Sequence, residues 1–164
     1  MPTITRREVL RRAAGLALLP ALPGCGEYAS GVPRSNFDAS STAEQVTAGL
    51  SLAGKTALVT GCNSGIGYET MRVLALRGAH VVGTARSLDK SREACASVEG
   101  RCTPAVLELT DFESVVNCAS HVQSLVPSLD MLVCNAGALF RGRPQIHGLE
   151  MQFVVKHLGH ILLV

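Results

Sequence analysis

A short apolar run, Thr56-Ala57-Leu58-Val59, passes directly into Thr60-Gly61-Cys62-Asn63-Ser64-Gly65-Ile66-Gly67, and an amphipathic stretch from Tyr68 to Arg77 follows. No other stretch restricts the fold as much. Glycines let a backbone turn sharply and approach a bulky anion, and a helix starting at such a turn offers free N–H groups and the positive end of its dipole. A buried strand, a glycine turn and a helix start in that order make a pyrophosphate site. Three glycines alone carry little weight; the strand before them and the helix after them give the motif its meaning.

The same alternation continues to Val164. Residues 56–60, 80–84, 103–107 and 131–134 read as strands, and their near-continuous apolar character suits parallel strands covered on both faces. Residues 65–77, 88–98, 111–126 and 149 to the end read as helices. Gly78 stops the first of these, Thr110-Asp111-Phe112-Glu113 is a capping box, and Pro127 terminates the third. Right-handed crossovers then give an α/β, Rossmann-like doubly wound parallel sheet of order 3-2-1-4, ending after the fourth strand and its helix. Pro104 is expected to open the third strand, which lies at the sheet edge where proline is tolerated.

Charge is unevenly spread. The formal net charge is +2, but four of the fifteen basic residues (Arg6, Arg7, Arg11, Arg12) lie in the first twelve positions, and beyond them eleven basic residues face twelve acidic ones. A near-neutral body argues against a nucleic-acid footprint. The six cysteines have no CxxC pairing or zinc spacing and read as ordinary buried thiols, so no metal site is expected.

The first fifty residues read as an address. Arg6-Arg7 precedes a modest apolar segment from Ala13 to Leu22, too short to span a bilayer, which looks like a twin-arginine export signal. Leu22-Pro23-Gly24-Cys25 resembles a lipoprotein cleavage box, leaving open whether Cys25 anchors the chain to a membrane. The expected location is periplasmic or membrane-anchored; an amphipathic N-terminal helix on a cytoplasmic protein is the alternative. Residues 26–50 read as a linker, with a short helix to about residue 48 opened by the capping box Ser41-Thr42-Ala43-Glu44. The expected division is thus 1–25 targeting, 26–50 linker and 51–164 a partial dinucleotide-binding domain.

From about Leu50 onward the chain resembles the N-terminal half of a short-chain dehydrogenase/reductase. Four stretches carry the likeness in order and spacing: residues 60–67, Ala85-Arg86, Cys134-Asn135-Ala136-Gly137, and Phe153-Val154-Val155-Lys156-His157-Leu158-Gly159-His160. With Leu52-Ala53-Gly54-Lys55, the wording is nearest the retinol-dehydrogenase-like and WW-domain-oxidoreductase-like members. The resemblance implies a dinucleotide cofactor and hydride transfer to or from a small carbonyl or alcohol substrate. It gives Gly61, Gly65, Ile66 and Gly67 to the pyrophosphate turn, with Asn63 and Ser64 adding hydrogen bonds. Where an NAD-selective relative has a carboxylate after strand two, this chain has Ala85 and then Arg86. A guanidinium binds a 2′-phosphate that a carboxylate would repel, so NADP(H) is expected in preference to NAD(H). Glu108 and Leu109 fall where relatives contact adenine, and Asn135, Ala136 and Gly137 where they flank the adenine ribose.

The family's proton relay is another matter. The resemblance puts an asparagine, which holds a water, at the position of Lys156. It also implies a serine and a tyrosine four residues before a lysine, and proton transfer must accompany hydride transfer. The tyrosines present are Tyr28 and Tyr68. Tyr68 has Arg72 four residues on, but arginine does not titrate in the useful range. No catalytic residue is therefore assigned, and His157 and His160 are read as packing or surface residues. Ile161-Leu162-Leu163-Val164 carries no stop signal, so the sequence reads as a truncated product or fragment with one sheet edge and one helix face uncovered. Two functions follow: the cofactor-binding half of an NADP(H)-dependent oxidoreductase, whose relatives often form homo-oligomers through that last helix, or a non-catalytic nucleotide-binding protein, lipid-anchored or partner-associated. The Cys134–Gly137 stretch argues against a methyltransferase, and the missing GK[ST] ending excludes a P-loop nucleotidase.

Overall fold

Four parallel strands line up in the order β3-β2-β1-β4: β1 is Thr56–Val59, β2 His80–Ala85, β3 Arg101–Val106 and β4 Met131–Val133. This is the doubly wound order read from the sequence. The computed structural model describes residues 35–164, so the arginine pair, Cys25 and Tyr28 lie outside the described residues. Residues 39–164 form one unit. Its helices are α1 (Ala43–Val46), α2 (Gly65–Leu76), α3 (Leu88–Ala96), α4 (Phe112–Leu125) and α5 (residues 151–163).

Period-two alternation sorts the strand side chains onto two faces. Ala57, Val59 and Val81 pack toward α2 and α3 with Met71, Ala75, Ala94 and Cys95. Leu58 and Val82, one residue out of phase, pack toward α4 and α5 with Ala105, Leu107, Val115, Cys118, Val155 and Leu163. Both faces of β1 and β2 are thus covered, which explains their unbroken apolar runs.

Several boundaries differ from the sequence reading. β3 begins at Arg101, so Pro104 lies within it, paired with Gly83. It is tolerated because β3 is an outer strand, where alternate N–H groups point away from the ladder. The N-cap of α1 is Thr42, whose hydroxyl accepts from Gln45 N while Gln45 Oε1 accepts from Thr42 N. The box is therefore Thr42–Gln45, one residue later than Ser41–Glu44. Arg72 and Arg77 hold this helix against α2, through Glu44 and Thr47. At α4 the cap is Asp111 rather than Thr110: the helix starts at Phe112 and Asp111 Oδ1 accepts from Glu113 N, while Thr110 donates its N–H and hydroxyl to Glu108 Oε1. Val126 before Pro127 is extended and ends α4.

The largest difference comes after β4. Residues 149–150 are not helical but form β6 (Leu149–Glu150), paired antiparallel with β5 (Gln145–Ile146) across a His147-Gly148 turn. Only then does α5 start, capped by the Glu150 carboxylate. Its middle, Val154–Leu158, is π-helical, with Gly159 N–H reaching back to Val154 O.

Candidate functional site

The site lies at the carboxyl ends of β1, β2 and β4, where strand order reverses direction and an open sheet leaves a crevice. Thr60 leaves β1 fully buried, and Gly61 follows at φ 72, a conformation that disfavours a side chain. A Cβ at Gly61 would press on Ala136, and one at Gly67 would overlap both the Gly61 carbonyl oxygen and the Asn135 amide nitrogen. The start of α2 can approach the strand ends this closely because those two positions carry no side chain. Cys62 ties the turn to β2 through its N–H to Thr84 O at 2.8 Å. Burial pushes its thiol up to about 12, so it stays protonated.

The start of α2 is left open. Thr42, Ser87, Asp111 and Glu150 each cap their own helix with a side chain, whereas Ser64 makes no side-chain cap bond. The first-turn N–H groups and the helix dipole therefore face an exposed turn of Asn63, Ser64 and Ile66. Ile66 is 81 % exposed at this turn.

Asn135 holds the other side of the corner. Its amide nitrogen donates to Thr60 O at 2.9 Å and Gly61 O at 3.3 Å, and the next amide, Ala136 N–H, donates to Thr60 Oγ1 at 2.9 Å. Thr60 Oγ1 also lies 3.0 Å from Nε2 of His160, which α5 brings in at 6 % exposure. The sequence reading had placed His160 as packing or surface; it is a buried polar partner of the glycine turn. His157 is exposed and stacks on Phe153 at 5.2 Å, so the two histidines do not converge. Among the described residues no group of three or more His, Cys, Asp or Glu side chains is placed to hold a metal.

A cavity of about 570 Å³ opens over this corner. Gly61, Asn63, Ser64, Ile66, Gly67, Arg86, Glu108, Leu109, Asn135, Ala136 and Gly137 all line it; Gly65 does not, and serves as the first residue of α2 at φ 60. Ala138, Phe140, Met151 and Val155 also line it and were not singled out from the sequence. The i, i+4 spacing of Met151 and Val155 was the available signal, since it puts both on one helix face. Arg86 stands exposed just past β2 and makes no ion pair among the described residues. Glu108 reaches the cavity, its Oε1 engaged by Thr110 and its Oε2 without a hydrogen bond among the described residues.

Lys156 turns away from the lining. Its stem runs alongside Gly137 and its ammonium meets Gln152 Oε1 at 3.2 Å. Tyr68 is also outside the cavity, its hydroxyl bonded to Ser97 at 2.9 Å, while Arg72 is committed to Glu69 and Glu44. The pair that mimics a catalytic spacing is therefore structural. The corner as a whole suits an elongated ligand with a diphosphate near its middle: N–H donors at the α2 start, a cation at the β2 end and apolar walls elsewhere.

Residues 55–157 match the short chain dehydrogenase family. The WW domain-containing oxidoreductase of Drosophila melanogaster is 37% identical over 138 residues, covering 79% of this chain and 34% of that protein. Retinol dehydrogenase 13 of Homo sapiens is 34% identical over 118 residues, covering 68% and 36% respectively. Among solved structures, a metagenomic short-chain oxidoreductase in complex with NADP superposes with a TM-score of 0.57 at 31% identity, covering 68% of this chain and 53% of that one. The chain spans about a third to two fifths of the length of the curated relatives it matches. With its 3-2-1-4 sheet, glycine corner and Asn135 turn, the chain belongs to the short chain dehydrogenase family.

Proposed function

We propose that this chain is the cofactor-binding half of an oxidoreductase that uses NADP(H) to interconvert a carbonyl and an alcohol. The observation that carries the cofactor choice is Arg86, which stands at the rim of the cavity after β2 with no carboxylate paired to it among the described residues. A ribose 2′-phosphate there would receive charge-assisted, bidentate hydrogen bonds. The open start of α2 takes the pyrophosphate, and Asn135 keeps the glycine turn and the strand-four turn in register around it. Met151 and Val155 shield the cavity wall from water. The cofactor would supply the hydride carrier.

Titration of the 164-residue chain with each reduced dinucleotide, followed by nicotinamide fluorescence, tests the choice. NADPH is expected to bind roughly tenfold to hundredfold more tightly than NADH, the worth of a hydrogen-bonded charge pair. Arg86→Ala should bring the two affinities together. Equal affinities in the unmodified chain, unchanged by that substitution, would remove NADP selectivity from the reading.

A second reading has its own support. Tyr68 is bonded to Ser97 outside the cavity, and Lys156 stands where the family's relay has asparagine. The 164-residue polypeptide by itself is therefore proposed to bind the cofactor without turnover. NADPH-dependent carbonyl reduction by the purified chain, abolished by Tyr68→Phe, would overturn this. Export is proposed on Arg6-Arg7 alone, with Cys25 as the candidate anchor. Replacing both arginines by lysine should hold a reporter fusion in the cytoplasm, and continued export would count against it.

A further inference from the structure

We propose that His160 is a positioning residue of the dinucleotide corner, fixing the Thr60 hydroxyl and, through it, the Asn135-Ala136 turn. This rests on reading the corner as a dinucleotide site, and it follows from counting donors and acceptors around one buried hydroxyl. Thr60 is fully buried. Its Oγ1 accepts the Ala136 N–H at 2.9 Å, so its single proton must find an acceptor. Two are near: Nε2 of His160 at 3.0 Å and the Val133 carbonyl at 3.4 Å. That carbonyl already receives the N–H of Thr60 at 3.0 Å and of Asn135 at 2.9 Å, which fills its two lone pairs. The hydroxyl proton therefore goes to His160.

The other ring nitrogen fixes the tautomer. Nδ1 of His160 faces the Lys156 carbonyl at 3.4 Å, and a carbonyl only accepts, so Nδ1 carries the proton and Nε2 is bare. A directional chain results: Ala136 N–H to Thr60 Oγ1, Thr60 O–H to His160 Nε2, His160 Nδ1–H to Lys156 O. It joins the strand-four turn, the end of β1 and the π-helical part of α5. Burial holds the imidazole below its ordinary pKa, which keeps the neutral ring that the chain requires. A histidine serving only as filler would need no such set of partners.

The test uses the full 164-residue chain and three substitutions: His160→Phe, which keeps volume and loses both bonds; His160→Gln, which returns an acceptor near the place of Nε2; and Thr60→Val. Amide hydrogen exchange at Ala136 is measured without cofactor, and NADPH is titrated separately. His160→Phe is expected to speed Ala136 exchange and to weaken NADPH binding roughly three- to tenfold, the range of one buried hydrogen bond. His160→Gln should recover at least half of both losses, and adding His160→Phe to Thr60→Val should cost nothing further. Unchanged Ala136 exchange in a folded His160→Phe chain overturns the proposal, as does a His160→Gln variant no better than His160→Phe. If His160→Phe does not fold, the ring ¹⁵N shifts of the unmodified chain decide: a proton on Nδ1 supports the chain of bonds, and one on Nε2 refutes it. An unmodified chain that binds neither NADPH nor NADH would end the dinucleotide reading, while Ala136 exchange would still judge the His160–Thr60 linkage.

Discussion

On one face of the sheet, Leu58, Val82, Ala105 and Leu107 meet α4 and α5 mainly through branched aliphatic side chains such as Val115, Val122, Val155 and Leu163, with Cys118 the one buried cysteine among the described residues there. On the other, Ala57, Val59 and Val81 meet α2 and α3 through alanines, Met71 and two cysteines, with Cys95 Sγ 4.0 Å from Met71 Sδ. Small and sulfur-bearing side chains let a helix settle close to the strands, and α2 must sit close if its first turn is to face the glycine corner. The α2 face therefore sets how closely the glycine turn approaches the strands, while the α4–α5 face both walls the cavity, through Leu107, Leu109 and Val155, and carries bulk stability at positions such as Leu58 that do not line it. The difference teaches where substitution should harm binding and where it should harm folding.

The largest expected effect breaks the close approach itself. Gly67→Ala puts a Cβ against Gly61 O and the Asn135 amide, so NADPH affinity should fall at least about a hundredfold, with roughly 1–3 kcal/mol lost to overpacking. Retained affinity would mean that the α2 face can yield. Leu58→Ala on the opposite face should cost about 3 kcal/mol in urea unfolding, while the remaining folded protein binds NADPH within about twofold of normal. A matching loss of affinity would erase the distinction between the faces.

Two smaller effects sharpen it. His80 and His160 fall on the α4–α5 side by strand alternation and helix contact, and burial is the first cause holding each below the ordinary histidine pKa. The folded chain thus binds these protons less readily than the unfolded one. Stability should be level above about pH 6.5 and fall as the pH drops below it, with a shallower fall in the double variant His80→Asn, His160→Gln. Asp130 beside Lys55 and Glu69 beside Arg72 have lowered carboxyl pKa values, so their contribution disappears only further into acid. The smallest effect is chemical. Among the described cysteines, exposed Cys134 should react first with a thiol reagent. Cys62 and Cys118, one on each face and pushed by burial to about 12 and about 11, should react only on unfolding.

The strands and helices around the glycine turn were legible because their chemistry is local. Apolar runs marked β1 and β2, and Asn135 announced its turn by its neighbours. Capping patterns were legible only to within a residue. Ser41 with Glu44 and Thr42 with Gln45 satisfy the same spacing, and only the backbone geometry separates them. Thr110 and Asp111 likewise both precede the helix, and only the start of α4 at Phe112 makes Asp111 the cap, with Thr110 bonded to Glu108 instead. Strands of two residues are too short to show a period, so the β5–β6 hairpin was hidden; His147 at φ 55 beside Gly148 is the turn that made it. His160 was invisible as a partner of Thr60 because a hundred residues separate them.

The π-helical stretch of α5 has a consequence for counting. A single extra residue within a helix turns everything after it by about 100° about the axis. Met151 and Val155 look into the cavity ahead of or within that stretch, and His160 looks onto Thr60 after it. Deleting one residue from Val154–Leu158 would relax the stretch into a plain helix and swing His160 roughly a quarter turn away. The helix therefore works as a vernier: the number of its residues, rather than its length, selects which side chain arrives at the glycine corner.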